Sequence, residues 1–204
     1  MSAQQPAAPD ISDDDTPDPA YAFKPSLIGA WYEYKLKSDG LHWQMGLRSG
    51  RVRYERIRAV RLSYRPVTMQ SRRFVTEIWS TDNPKISIVS VSWRSLVEQE
   101  RQDAAYVAFI TELHRRLAAS NSEAQFTTGL PVVSYWLGVV LFAVVMITIA
   151  AMIVRALRQE QWSASAIIAA ILAGFAYQIG NYFRRNKPVT YRPGAIPPEV
   201  LPKV

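Results

Sequence analysis

Twenty-five consecutive residues without a charge, Leu130 to Val154, limit what this chain can fold into. About 20 apolar residues in a helix cross the ~30 Å hydrocarbon layer of a bilayer, and this run is longer than that. A second uncharged run, Trp162 to Phe183, follows after only Arg155 to Gln161. A core helix of a water-soluble domain rarely needs so long an uncharged stretch, and such helices seldom occur as an adjacent pair. The sequence therefore predicts two transmembrane helices, 130–154 and 162–183, joined as a tight hairpin. Tyr135, Trp136, Trp162 and Tyr182 fall near the span ends, where amphipathic rings settle at headgroup level.

Basic residues flank the outer ends of the pair. Arg115 and Arg116 precede it and Arg184, Arg185, Lys187 and Arg192 follow it, against Arg155 and Arg158 in the connection. The excess of positive charge stays on the cytoplasmic side, so both termini are expected there. The first twenty residues lack a basic region and an apolar stretch, so the first span is expected to act as the targeting signal. The spans hold no charge, and no proton relay or ion pathway is visible in them. Ala170 with Gly174, and Ala176 with Gly180, are spaced by four and would let another helix approach closely. Contact with the first span of the same chain is the preferred reading, and a homo-oligomer the alternative.

Ahead of the spans, 1–20 is rich in Pro, Ala and Asp and reads as a disordered acidic tail. It holds five acids and no base, so a net charge of +7 for the chain becomes +12 for residues 21–204. Residues 21–120 show short β-type runs: WYEYKLK, the turn Ser38-Asp39-Gly40, LHWQMG, the turn Arg48-Ser49-Gly50, and RVRYERIRAVRLSY. RFVTEIWS and KISIVSVSW follow, separated by Thr81-Asp82-Asn83-Pro84. The set predicts an antiparallel sheet of five to seven strands, with a bulge near Glu55-Arg56 where the alternation changes phase. From Gln102 to Ala119 the period lengthens: Tyr106, Phe109 or Ile110, Leu113 and Leu117 mark an amphipathic helix packed on the sheet. Ser120 to Gly129 reads as a loop, and 184–204 as a basic, Pro-rich tail along or leaving the membrane surface.

No cysteine occurs, which excludes disulfides, thiolate nucleophiles and Cys-ligated metals. The common local signatures of nucleophilic, metal and nucleotide sites are missing as well. His42 reads as a strand surface residue and His114 as a cation near a helix C-terminus. Asp13-Asp14-Asp15 reads as solvated tail, so no cofactor, metal or catalytic residue is expected. Arginine stands out instead. Arg48, Arg51, Arg53, Arg56, Arg58, Arg61, Arg65, Arg72 and Arg73 lie in a 26-residue stretch whose single acid is Glu55. All of these except Arg48, with Arg184, Arg185 and Lys187, are the candidate contacts to lipid or a partner. A positive face tethered near an anionic leaflet meets headgroups at high local concentration, each base contributing ~1 kcal/mol. Nucleic acid is not expected, because no RNP-type or other such motif is present.

The order of elements resembles the bacterial pleckstrin-homology-like (PH-like) domain, a bent antiparallel sheet closed by a C-terminal helix. Tyr34-Lys35-Leu36, Asp39-Gly40-Leu41, Val52 to Leu62, and Tyr106, Phe109, Leu113 and Leu117 carry the likeness, over about residues 28–118. With the tail PVTYRPGAIPPEVLP, the whole is similar to small inner-membrane proteins of proteobacteria. The resemblance implies an α+β fold, a PH-like domain followed by a transmembrane hairpin, in the bacterial inner membrane. The expected function is a non-enzymatic membrane-anchored adaptor that binds anionic headgroups or a protein partner. Trp31, Tyr32, Trp43, Trp79 and Trp93 are available to such a partner. The alternative is an accessory subunit of a larger transport or respiratory complex.

Overall fold

The computed structural model describes residues 18–26, 28–66, 72–94, 99–120 and 122–203, so most of the acidic tail lies outside the described residues. Four strands form an antiparallel meander: β1 (Ala20–Phe23), β2 (Tyr32–Lys37), β3 (Gly40–Met45) and β4 (Arg48–Val52). Their alternation follows the pleat, with Tyr34 and Leu36 buried and Glu33, Lys35 and Lys37 exposed. Gly40 closes the first hairpin at φ 143°, where a Cβ would lie 2.4 Å from the Val52 carbonyl oxygen, so only glycine fits.

Arg48-Ser49-Gly50, expected as a turn, is strand. The turn lies at Gly46-Leu47, with Gly46 at φ 63°. Gly50 faces Trp43 across β3 and β4, and a Cβ there would sit 2.5 Å from the indole. This glycine makes room for a ring rather than bending the chain.

A single 3-10 turn, Tyr54–Arg56, separates β4 from β5 (Ile57–Tyr64) at Glu55-Arg56, where the phase change predicted a bulge, and the β5 register shifts just after it, between Ile57 and Ala59. β5 pairs with β6 (Phe74–Ser80), which pairs with β7 (Ile86–Val89). KISIVSVSW breaks at buried Ser90, whose backbone N–H and Oγ bond the two backbone groups of Phe74. β8 (Val91–Trp93) then pairs with β9 (Gln99–Arg101). Helix α1 (Asp103–Ala119) follows, burying Tyr106, Phe109, Ile110, Leu113 and Leu117 in one core shared with both sheets. Tyr106 Oη meets Thr76 Oγ1 at 2.6 Å inside that core.

The expected loop after α1 contains a strand, β10 (Gln125–Thr128), parallel to β5. Two long helices, α2 (Val132–Arg158) and α3 (Trp162–Arg185), are joined by Gln159–Gln161 alone. At 1.5 Å per residue they reach about 40 and 36 Å, slightly longer than the spans 130–154 and 162–183 drawn from sequence. No α2 side chain is buried. A water-soluble core helix would be covered, whereas these helices present valines, leucines and isoleucines outward and are long and apolar enough to cross a membrane.

The helices touch at their base. Phe183 packs against Tyr135 and Phe142, with ring centroids 5.7 and 6.0 Å away, and a Cβ on Gly138 would lie 3.0 Å from the Phe183 ring. Gly174 and Gly180 have nothing within 4 Å of a Cβ position. Those two glycines therefore open away from α2, which corrects the expectation that they pack on it.

Candidate functional site

The base of the helix pair is clamped to the β domain, and the clamp builds the site. On the entering side, Gly129 turns out of β10 at φ 71° and donates its N–H to the Leu62 carbonyl at 2.7 Å. Leu130 N–H then donates to the Asn186 carbonyl at 3.0 Å. On the leaving side Asn186 is fully buried. Its Oδ1 accepts the Tyr64 N–H at 3.0 Å and its Nδ2 donates to the Tyr64 carbonyl at 2.8 Å, so the side chain replaces a strand at the end of β5.

The chain after α3, expected from sequence as an extended basic tail, folds back onto β10. Thr128 N–H bonds the Val189 carbonyl at 2.8 Å, Tyr191 N–H bonds Phe126 at 3.0 Å, and Thr190 bridges Thr127 antiparallel. Val200, 1% exposed, ends up in the core, with Ile196 and Leu201 packed against it. A turn at Pro193-Gly194 and a 3-10 turn, Pro198–Val200, lie among these apolar anchors.

His114 lies under this tail and is not a cation at a helix end. Its Nδ1–H donates to the Ile110 carbonyl at 2.7 Å, which leaves Nε2 to accept the Tyr191 hydroxyl at 2.8 Å. The ring is 1% exposed, and burial pulls its pKa down to about 4. His42 instead joins Arg51 on the exposed Asp39, whose carboxyl their hydrogen bonds hold at about 2.

Between the start of β6, the end of α3 and the tail lies a cleft of about 650 Å³. Six bases line it, Arg72, Arg101, Arg184, Arg185, Lys187 and Lys203, against one acid, Glu199. Arg101 pairs with Asp103, while among the described residues the other five form no ion pair. Arg185 stacks on Tyr64, its guanidinium 4.9 Å from the ring centre. Phe74, Val189 and Leu201 are among the apolar residues of the lining.

The structure divides the sequence candidates. Arg72, Arg184, Arg185 and Lys187 come together in the cleft. Arg73 and Arg65 lie beside it at the start of β6 and the end of β5. Burial, with Arg65 adding to it, lowers the Arg73 pKa. Arg65 is held with Lys85 on buried Glu77, at 2.8 and 2.9 Å, and Arg61 lies over Trp79, 5.1 Å from the ring centre. These two arginines are internal partners of the sheet rather than a free positive face.

Arg56 and Arg58 sit at the opposite end of β5, about 20 Å along the strand from Tyr64. Arg56 pairs with Asp82, Arg58 bonds Thr81, and Arg51 is tied to Asp39, while Arg53 precedes the adjoining 3-10 turn and its side chain makes no capping bond there. Sequence reasoning missed Arg101 and Lys203, which tertiary folding alone brings into the cleft. The signal for the tail was present in the apolar residues Val189, Tyr191, Ile196, Val200 and Leu201 between prolines. Of the aromatics assigned to a partner, Trp43 is 8% exposed and covers Gly50, whereas Trp31 is 54% exposed.

A second cavity, of about 620 Å³, is an apolar groove between α2 and α3. Gly138, Leu141, Val145 and Ile149 line one side, and Ile168, Ile171, Phe175 and Phe183 the other. Among the described residues no group of acids and histidines could hold a metal ion. The chain matches no protein-family model, no curated protein and no solved structure.

Proposed function

We propose that this chain is a non-enzymatic adaptor anchored in a bacterial inner membrane. Its two helices span the bilayer, both termini are cytoplasmic, and its PH-like domain meets anionic headgroups or a protein partner at the hairpin base. The observation that carries the reading is the cationic cleft, built at the level where the helices leave the domain. Arg72 of the β domain and Lys203 of the folded-back tail add to Arg184, Arg185 and Lys187 at that end, against Arg155 and Arg158 near the hairpin turn. That asymmetry favours the base on the cytoplasmic side. The clamp holds the domain close to the leaflet, where weak attraction is enough.

The test is hydrogen exchange of the full chain in nanodiscs. Amides of 72–74 and 187–191 should gain protection when anionic lipid replaces zwitterionic lipid, and lose it as salt rises, since screening acts over ~8 Å at physiological ionic strength. Amides at Thr81–Asn83, at the far end of the sheet, should not respond. No dependence on lipid charge would refute headgroup contact. A second reading, the accessory subunit of a larger inner-membrane complex, is favoured by the small-residue pair Ala170 and Gly174, spaced by four and open at Gly174, which admits a helix of another protein.

A further inference from the structure

The cleft and the groove meet at consecutive residues: Phe183 closes the groove at the base of α3, and Arg184 lines the cleft. On α2 the groove runs from Gly138 to Ile149, about 17 Å at the helical rise, which covers the ~15 Å depth of one leaflet. The groove stops short of the hairpin turn on both helices, ending at Ile149 on α2 and Ile168 on α3, and it opens at its other end onto the cations of the cleft. A site with unpaired cations at headgroup level and an apolar channel one leaflet deep has the dimensions and chemistry of a phospholipid.

We propose that cleft and groove form one site for a single anionic diacyl phospholipid, its phosphate among Arg184, Lys187 and Lys203 and an acyl chain between α2 and α3. The proposal rests on the membrane-anchored reading above and adds stoichiometry and a chain-binding half to it. The charges facing the phosphate leave a positive excess. Arg101 is already neutralised by Asp103, Arg185 is engaged with Tyr64, and Glu199 opposes the remaining Arg72, Arg184, Lys187 and Lys203. A zwitterionic headgroup would bring its own cation into that excess and bind less well.

The experiment uses the full chain in mild detergent, with bound lipid counted by native mass spectrometry. About one phosphatidylglycerol per chain should be retained, about tenfold or more in preference to phosphatidylcholine. Inorganic phosphate should not displace it, because phosphate lacks the chain that fills the groove. Arg184→Glu with Lys187→Glu should reduce phosphatidylglycerol retention about tenfold or more while sparing phosphatidylcholine. Ile171→Trp should fill the groove and reduce both lipids together. Unchanged exchange at the Tyr191 and Thr128 amides establishes that each variant is folded.

Equal retention of the two lipids, displacement by inorganic phosphate, or no loss in either variant would overturn the proposal. So would a chain dimer that Ile171→Trp converts to monomer, since a second copy would then occupy the groove. Absence of retained lipid alongside lipid-dependent protection in nanodiscs would overturn the single-lipid site and leave headgroup contact standing. Loss of both would remove the underlying reading too.

Discussion

Replacing Tyr191 by phenylalanine removes one oxygen atom and tests the clamp at its most specific contact. His114 Nδ1–H is committed to Ile110, so Nε2 depends on the Tyr191 hydroxyl alone at 2.8 Å. In Tyr191→Phe that buried acceptor loses its partner, which costs about 1–3 kcal/mol. If the tail opens as a local unit, the amides of Thr128 and Tyr191 should exchange roughly 5- to 150-fold faster. Amides of Val60 and Ile78, in the β5–β6 pairing, should keep their rates.

Acid should act on the same bond. Burial lowers the His114 pKa from 6.5 in the open state to about 4 in the folded state. The opened tail therefore binds more protons between those values, so closure is fully favoured above pH 6.5 and weakens as the pH falls toward 4. At 1.36 kcal/mol per pH unit the loss is about 3 kcal/mol, and His114→Leu should abolish it. Protection factors, corrected for intrinsic exchange, are the assay. Tail protection independent of pH from 6.5 to 4 would refute the neutral buried histidine. Equal acceleration of the tail and of β6 in Tyr191→Phe would refute the separate clamp.

The helix pair can be excised, because Leu130 and Asn186 are already hydrogen-bonded at 3.0 Å. Residues 18–130 joined by a short linker to 186–203 should fold as a soluble, mainly β domain by circular dichroism, whereas 21–120 alone should not, lacking β10 and the tail residues Tyr191 and Val200. Equal spectra and thermal transitions for the two would show the clamp to be dispensable. For the orientation, a reporter at the C-terminus should read cytoplasmic and one inserted near Gln159 external, and a C-terminal reporter reading outside would overturn the hairpin.

Several elements were determined by local sequence alone. Alternation in YEYKLK, a turn closed by Gly40, a three- and four-residue period from Tyr106 to Leu117, and long uncharged runs each have a signature within one window. Burial of one face or one length of helix follows from such a pattern whatever the rest of the chain does. The sequence also supplied the number of arginines, but not which would be neutralised. Glu77 takes Arg65, just past the end of β5, and Lys85, just before β7, while Arg61, opposite Glu77 in the β5–β6 register, lies over Trp79.

Gly50 looked like a turn residue because glycine allows both a bend and a close approach, and only the β3–β4 register puts Trp43 over it. QFTT is too short to declare itself a strand; it becomes one by pairing with the edge of β5 and then with the returning tail. His114 has the helical spacing of Ile110 and Leu117, but the burial that lowers its pKa, and its Nε2 partner Tyr191, 77 residues away, belong to the tertiary fold. The cleft joins Arg72 to Lys203 across most of the chain. Contacts between residues so far apart leave no periodic trace in either segment, and only the packed structure brings them together.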